Sequence, residues 1–495
     1  MTRAKQSTTE RSAGRAYRKM ITGNKKRFGR IWLSTGLAFA IAAGTVPAYA
    51  AEAAVPAAAG TSVTAQIDGQ PAQWGSSVYT YRSLTYVPVR EGAVSLGAEV
   101  KWDKTRRAAV VKSNGDELLY RPGADTVSVN GFELRMPGTT RYVNGILTVP
   151  LRGLTEPLKA DIGIASANGT SNLSLSTDRE TLVRPNLQSV DDYLKKEGFS
   201  GNALVAKDGE VLMRKSYGLA SDTTLLRPTD PMRLGSLTKA FTAASILQLE
   251  EEGKLSTDDP LSKFIPDYPR GDEIKLSMLL SHTSGIALNF KREEGIPLAD
   301  TVAEIKASAL KFEPGTSYKY SNSGYVLLAY IIEQTSGMSY PDYIRTRIME
   351  PLGMDHSGTA TRDTKVSRGY EYDWQEKAWR AVDYYFFSPS GTGSLYSTLD
   401  DMLTWSQALS SGKLLSQETM DRMYTPNRFT QYAYAWAVDG EGDDKVAYHN
   451  GGGDGYTTGI RRGLNDGTVV ILLGNYGGLD TNKMTADIRK LAFGK

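Results

Sequence analysis

Between Ser236 and Leu249 the apolar residues Leu237, Ala240, Phe241, Ala243, Ala244, Ile246, Leu247 and Leu249 fall on every side of a helical wheel. This pattern predicts a helix buried all round, not one with a single face against a core. The run turns acidic at Glu250-Glu251-Glu252 and stops at Gly253, a residue suited to a helix C-cap. Further helical spacing occurs over Leu187–Lys196, the amphipathic stretch Leu298–Lys311, the apolar stretch Tyr325–Gln334, Asp400–Leu409 and Thr481–Phe493. Leu276–Gly285 reads as a helix running into a turn. Gly201–Ala206 and Val211–Tyr217, joined through Asp208-Gly209, predict a hairpin, and Thr458–Arg461 and Thr468–Asn475 predict two closing strands. The opening and closing strands are expected to share one antiparallel sheet, with the helical middle on and beside it.

Upstream the period changes. Residues 61–178 show β-alternation and tight turns: Glu99–Trp102, Ala108–Lys112, Glu117–Tyr120, and Thr126–Val129 facing Phe132–Met136 across Asn130-Gly131, a strong hairpin signal. The words Leu84-Thr-Tyr-Val-Pro-Val-Arg90 and Ile146-Leu-Thr-Val-Pro-Leu-Arg152 form a repeat, each followed by a short helical stretch. The expected organisation is a β-rich N-terminal domain (61–178), a linker (179–186) and a larger α/β (α+β) domain (187–495) with a central antiparallel sheet flanked by helices.

Composition changes this picture at the N-terminus. A basic region ends in Lys25-Lys26-Arg27-Phe28-Gly29-Arg30, an apolar run covers Ile31–Ala43, and Ala48-Tyr49-Ala50 fits a small-x-small cleavage pattern. Residues 1–50 are therefore expected to be a signal peptide cut after Ala50, and the Ala/Pro-rich 51–60 a flexible lead. A start at Met20 would give a basic region of more ordinary length. The expected product is secreted, with no membrane span after cleavage. Residues 1–50 hold ten Lys/Arg and one acid, so the formal charge of +3 hides a remainder of 48 basic and 54 acidic residues, a net −6. That sign gives no reason to expect a nucleic-acid partner. There is no cysteine, which removes disulfides and thiol nucleophiles together. The three histidines, His282, His356 and His449, stand in no metal-binding spacing, so no metal or other cofactor is expected.

The chemistry-bearing stretch is Arg233–Lys239. Ser236 and Lys239 are three apart and share a helix face, which lets the amine reach the hydroxyl. Free N–H groups at the helix start can stabilise an oxyanion. A lysine desolvated on a buried helix loses its proton more easily than one in water. The spacing alone is common, however: Ser308/Lys311 and Ser410/Lys413 share it. His282 reads as a residue holding a helix-end turn by hydrogen bonds.

Ser236/Lys239, Tyr320-Ser321-Asn322 and His449-Asn450-Gly451 follow in that order. Together they resemble the three active-site elements of the serine β-lactamase and penicillin-binding-protein superfamily. The nearest likeness is to its branch of class C β-lactamases, D-alanyl-D-alanine carboxypeptidases, D-aminopeptidases and esterases. Leu279-Leu-Ser-His-Thr-Ser-Gly285, Pro351-Leu-Gly-Met354 and Ser397-Thr-Leu-Asp400 fall where that family carries similar words. The resemblance implies catalysis by Ser236, Lys239 and Tyr320, and substrate binding by Asn322, His449, Asn450, Gly451 and Gly452. In it Ser236 is the nucleophile, Lys239 and Tyr320 share the proton work, with Tyr320 lowered by a neighbouring cation to act as a phenolate, and the N–H groups of Ser236 and Gly452 form the oxyanion hole. Many relatives carry Lys-Thr-Gly or His-Thr-Gly in the third element. A neutral histidine there weakens any fixed cation for a substrate carboxylate.

The resemblance implies an exported serine hydrolase acting through a Ser236 acyl-enzyme on D-alanyl peptides or related amides. An esterase and a catalytically silent penicillin-binding or wall-binding sensor are the alternatives. Its partners would be peptide, β-lactam or ester small molecules. Residues 61–178, with their paired Val-Pro-hydrophobic-Arg words, resemble the copper amine oxidase N-terminal-like domain. No His or Cys lies there, so no copper is inferred. The expectation is a spacer or wall-associated module in which Arg90 and Arg152 are structural.

Overall fold

The computed structural model describes residues 62–495 except 73, 75–77, 168–169, 179, 222, 288–289, 291–294, 377 and 383–390. The expected signal peptide, its cleavage after Ala50, the Met20 start and the 51–60 lead lie outside the described residues. Two compact units result: the chain up to Arg179 together with Gly218–Leu225, and Glu180–Tyr217 with Leu226–Lys495.

The first unit is β-rich, as expected. Glu99–Asp103, Ala108–Ser113, Asp116–Tyr120, Thr126–Val129 and Phe132–Arg135 form a five-stranded antiparallel meander. Its Asn130-Gly131 turn has both residues at positive φ (50° and 91°), the geometry that matches strand twist in a two-residue hairpin. The two copies of the repeat pair with one another: Leu84–Pro88 runs antiparallel to Ile146–Pro150, with Val87 opposite Val149. Pro88 and Pro150 then each precede a short helix, Val89–Ser95 and Leu151–Thr155, where a missing N–H costs nothing. Arg90 is exposed and donates to the Val100 carbonyl at 3.2 Å. The ribbon of Leu219–Ser221 and Thr224–Leu225 belongs to this unit, although the sequence reading set it within 187–495; Leu225 is buried in its core, and the Leu225 N–H donates to Glu156.

The second unit is built on a seven-stranded antiparallel sheet, in the order Leu182–Val183, Glu210–Tyr217, Gly201–Lys207, Thr468–Gly474, Tyr456–Gly463, Val446–Gly453 and Ala437–Asp439. The opening hairpin thus lies against the closing strands, as the alternation predicts. Leu182–Val183, inside the expected linker, is an edge strand. Helices Gln188–Glu197 and Thr481–Phe493 pack together over one face through Val190, Leu194, Val205, Met213, Leu472, Met484 and Ile488. Helix Leu399–Ser410 packs on Thr468–Gly474, and helix Thr238–Glu251 packs against helix Asn322–Ser336. Eleven of the fourteen residues of Thr238–Glu251 are buried. Phe241 stacks on Trp405 at 4.2 Å, and Trp405 on Trp436 at 5.8 Å. The helix ends as expected at Gly253, φ 70°.

A buried charge cluster ties the first helix of this unit to its sheet. Asp191 accepts hydrogen bonds from Tyr217 (2.6 Å) and Lys195 (2.7 Å) and pairs with Lys215 at 3.2 Å, both Asp191 and Lys215 being essentially unexposed. Burial alone would raise the Asp191 carboxyl, but Lys215, Lys195 and Tyr217 outweigh it and hold the group below the ordinary aspartate value. A depressed folded-state value means stability that is present above the unfolded pKa and lost as pH falls through the folded one. Asp191→Asn removes the buried carboxylate that pairs with Lys215 at 3.2 Å and is expected to cost about 3–5 kcal/mol. Urea unfolding at pH 7 measures this loss, and the variant should show a shallower acid limb in stability against pH.

Candidate active site

Ser236 sits in a single 3₁₀ turn, Gly235–Leu237, that feeds helix Thr238–Glu251; the sequence reading began the helix at Ser236 itself. Gly235 has φ 53°, a left-handed conformation that turns the chain sharply out of strand Met232–Arg233. Lys239 lies on the first turn of the helix with its side chain fully buried. Its Nζ donates to Ser236 Oγ at 3.0 Å and to the Thr392 carbonyl at 3.0 Å. The same Nζ lies 5.0 Å from the centre of the Tyr320 ring and 5.7 Å from that of Tyr325.

The second element is fixed by a helix N-terminus. Ser321 caps helix Asn322–Ser336: its Oγ accepts from Gly324 N–H at 3.0 Å and donates to the Ala287 carbonyl at 2.8 Å. Tyr320 immediately precedes the cap, and Asn322 is the first helical residue. His282 takes the role expected of it and more. It stands at φ 60° in the turn after helix Leu276–Leu280, its carbonyl accepts from Lys319 N–H, and its Nδ1 accepts from Ser321 N–H at 3.1 Å. The LLSHTSG turn therefore holds the residues on both sides of Tyr320.

The third element is strand Val446–Gly453, and the glycine run continues the strand instead of looping out. It passes so close to the Ser236 turn that no side chain fits at Gly451. A Cβ on Gly451 would lie 2.1 Å from the Leu234 carbonyl oxygen, 2.4 Å from Thr458 Oγ1 and 3.0 Å from Ser236 N. A Cβ on Gly235 would lie 2.9 Å from Gly452 N. Thr458 on the neighbouring strand donates to the Leu234 carbonyl at 2.8 Å. Side chains alternate along a strand. His449 is buried, whereas Asn450 is exposed and its Oδ1 accepts from Asn482 of the C-terminal helix at 3.3 Å. The structure thus brings Ser236, Lys239, Tyr320 and the Gly451-Gly452 backbone together and turns the Asn450 side chain to the opposite face.

Desolvation dominates the electrostatics. It pushes the Tyr320 hydroxyl well above the ordinary tyrosine value; a hydrogen bond with Ser236 pulls it back in part, and Tyr318 adds to the rise. The expectation of a Tyr320 lowered by a neighbouring cation is therefore corrected: burial outweighs it, and Tyr320 is a phenol. Burial, Lys239 and His449 hold His282 well below the ordinary histidine value. Burial followed by Lys239 pushes His449 down to about 3, against a smaller opposing pull from the Asn450 main chain. Both rings are neutral at pH 7. Among the described residues no three His, Asp or Glu side chains group to hold a metal ion.

The sequence model of the family described as Beta-lactamase matches residues 188–493. The chain belongs to the β-lactamase family. A second model, the copper amine oxidase N-terminal domain, matches residues 66–173. Penicillin-binding protein 4* of Bacillus subtilis is 31% identical over 324 residues, 59% of this chain and 72% of that protein. Teichoic acid D-alanine hydrolase of Staphylococcus aureus is 28% identical over 252 residues, 49% and 60%. With a further B. subtilis relative, 36% identical over 259 residues, the chain spans 60 to 72% of the length of these curated relatives. Among solved structures, D-amino acid amidase of Ochrobactrum anthropi SV3, complexed with D-phenylalanine, superposes with a TM-score of 0.53 at 25% identity, covering 62% of this chain and 98% of that one.

In this β-lactamase-family unit the two other Ser-x-x-Lys spacings are set apart by their surroundings. Ser308 is exposed beyond the end of helix Leu298–Lys306, which stops short of the expected Lys311, and Ser410 accepts a hydrogen bond from the buried Arg462 at 2.6 Å. Two contributors escaped the sequence reading. Thr392, whose carbonyl anchors Lys239, lies in Ser390-Gly-Thr-Gly-Ser394, where only the clustering of small residues hints at close packing. Tyr432 bridges His282 and His449 from an irregular stretch with no periodic signal. Gly451→Ala is expected to cost about 1–3 kcal/mol in overpacking, because the atoms it meets include a strand-bound carbonyl, and to suppress acylation of Ser236 more than it lowers stability. Thermal unfolding beside penicillin labelling separates the two effects.

Proposed function

We propose that this protein is an exported serine hydrolase that forms an acyl-enzyme on Ser236, acting on D-alanyl peptides or related amides. The observation that carries the reading is Lys239 Nζ at 3.0 Å from Ser236 Oγ, with Gly451-Gly452 backbone against the Ser236 turn. In the reaction, unprotonated Lys239 takes the hydroxyl proton as Ser236 Oγ attacks the carbonyl carbon. The carbonyl oxygen gathers charge between the N–H groups of Ser236 and Gly452; a single such donor is typically worth about 3–4 kcal/mol in the transition state. Tyr320, protonated in the free site, gives its proton to the leaving nitrogen or oxygen and recovers one from Lys239. Water then hydrolyses the ester, regenerating Ser236. Asn322, at the head of its helix, orients the substrate amide.

A second reading, hydrolysis of D-alanyl esters, is favoured by one specific observation: His449 is neutral, so the third element offers no fixed cation to a carboxylate on the leaving side. The relatives named for teichoic acid D-alanine and for D-amino acid amides fit both readings. The signal-like N-terminus supports secretion. The first unit, with its match to the copper amine oxidase N-terminal domain, is assigned to cell-wall association and carries no residue of the reaction.

The decisive experiment treats the mature protein and Ser236→Ala with a labelled penicillin, then measures release from an acyl-D-Ala-D-Ala peptide, a D-alanyl amide, a β-lactam and a D-alanyl ester of a simple alcohol. Labelling and release by the wild type, both abolished in Ser236→Ala, are expected. Neither in the wild type sinks the enzyme reading, and label without release points to a silent penicillin-binding sensor. Tyr320→Phe should slow acylation by about 10²–10⁴-fold with the fold intact; stopped-flow acylation at near-normal rates would remove Tyr320 from the proton path.

A further inference from the structure

Lys239 Nζ reaches Ser236 Oγ and the Thr392 carbonyl, both at 3.0 Å, and the second of these partners is itself braced from helix Thr238–Glu251. Thr242 Oγ1 donates to the Gly391 carbonyl at 2.8 Å, and Thr238 Oγ1 accepts from Leu395 N–H at 3.2 Å. Four apart on the helix, the two threonines share a face. They grip the segment Gly391–Leu395 on either side of Thr392. We propose that Thr242 is a positioning residue for acyl transfer: its hydroxyl fixes the place of the Thr392 carbonyl, and through it the direction of the Lys239 lone pair. This role rests on the Ser236 reading.

The hydrogen positions follow from what each group can do. The Tyr340 hydroxyl is buried and has one hydrogen-bond partner among the described residues, Thr242 Oγ1 at 2.8 Å. Its hydrogen goes there, because a buried donor left unmade is costly. Thr242 then spends its own hydrogen on a carbonyl, that of Gly391 at 2.8 Å in preference to that of Thr238 at 3.3 Å. Downstream, the segment is fixed by strand pairing: Leu234 N–H donates to the Leu395 carbonyl at 2.9 Å, and Tyr396-Ser397 pairs with Met232-Arg233. At the upstream end Gly391 stands at φ 69°, and a Cβ there would lie 3.0 Å from Ala329 Cβ, Thr242 Oγ1 and the Tyr325 carbonyl oxygen. The Thr242 hydroxyl is what faces the carbonyl at this closely packed end.

The Thr392 carbonyl matters because it can only accept, and so holds one Lys239 N–H in either protonation state. The rotamer with the lone pair toward Thr392 is excluded. Ser236 Oγ, in reach at 3.0 Å, selects the rotamer that accepts its hydrogen. Once the proton has passed, the same carbonyl accepts a charge-assisted bond from the ammonium. Misplacing a reacting group by about 1 Å costs on the order of 100-fold in rate. Among the described residues no hydrogen bond runs from Thr242 to Ser236, Lys239 or Tyr320, so substrate affinity should not depend on it.

Thr242→Val keeps the shape and removes the donor, whereas Thr242→Ser keeps the donor. Ser245→Ala is the structural control: Ser245 is equally buried, and its hydroxyl donates to the Phe241 carbonyl of the same helix at 2.9 Å. Stopped-flow reaction with penicillin separates the acylation rate constant at saturation from the dissociation constant of the noncovalent complex. Thr242→Val should lower the first about 10- to 100-fold and leave the second unchanged. Thr242→Ser should restore most of the rate, and Ser245→Ala should lower only the unfolding temperature. Acylation by Thr242→Val as fast as by Ser245→Ala, or a loss confined to the dissociation constant, overturns the proposal. If Thr242→Val fails to fold, Thr242→Val with Tyr340→Phe, which also removes the hydroxyl that valine leaves unpartnered, takes its place with the same expected loss. A wild type that does not label with penicillin sinks the Ser236 reading and this role with it; a wild type that labels no faster than Thr242→Val sinks the role of Thr242 alone.

Discussion

The active-site geometry depends on the absence of side chains where two pieces of backbone meet. The Leu234–Leu237 turn and the strand ending at Gly453 approach so closely that a methyl group on Gly451 would overlap the Leu234 carbonyl, and one on Gly235 would press on Gly452 N. This contact places the N–H of Ser236 beside a strand of the central sheet. The sheet is in turn assembled from segments at opposite ends of the unit, Gly201–Tyr217 and Tyr456–Gly474. The backbone beside Ser236 is therefore positioned by the whole sheet, and a loop could not hold it with the same precision.

The same packing decides the site's electrostatics. A helix buried on all sides carries Lys239 into a region lined by Tyr320, Tyr325 and the carbonyl of Thr392. Taking such groups out of water penalises every charged form. Tyr320 is held as a phenol, and His282 and His449 are held as neutral imidazoles. A low-dielectric surround also strengthens each hydrogen bond within it, and makes any left unmade more costly. The tyrosine and histidine side chains that line the site are thus neutral. In the proposed reaction, the proton passing from Ser236 to Lys239 puts positive charge close to where the oxyanion develops.

How much of this could be read from sequence follows from the range of each signal. Helix burial is written in local periodicity, so Thr238–Glu251 and its end at Gly253 were legible, and that burial is what sets Ser236 apart from Ser308 and Ser410. Hairpins at Asn130-Gly131 and Asp208-Gly209 were legible because two-residue turns demand positive φ. Strand alternation also contained the fate of Asn450: one residue from buried His449 on a strand, its side chain must face the other way. The sign of the Tyr320 shift was not legible, because it depends on how many distant segments exclude water from one hydroxyl. Nor were Tyr432 and Thr392, which lie in irregular stretches and whose contacts to His282 and Lys239 span 150 and 153 residues of sequence. Gly218–Leu225 escaped for the same reason, its core contacts lying with residues of the first unit.

A neutral third element changes what the site can discriminate. A fixed cation rewards a carboxylate on the leaving side of the scissile bond through charge, at a distance and with little regard for direction. A single N–H donor rewards any well-placed acceptor, carbonyl or ether oxygen as well as carboxylate, and only at hydrogen-bond range and angle. Under the proposed function, selectivity then moves from the charge of the leaving group to its shape. On the other side of the site Ser321 N–H donates to His282 Nδ1, and Ser321 also caps the helix at whose start Tyr320 and Asn322 stand. Tyr320 and Asn322 are thereby held from one backbone position, so a displacement of that cap moves both side chains together.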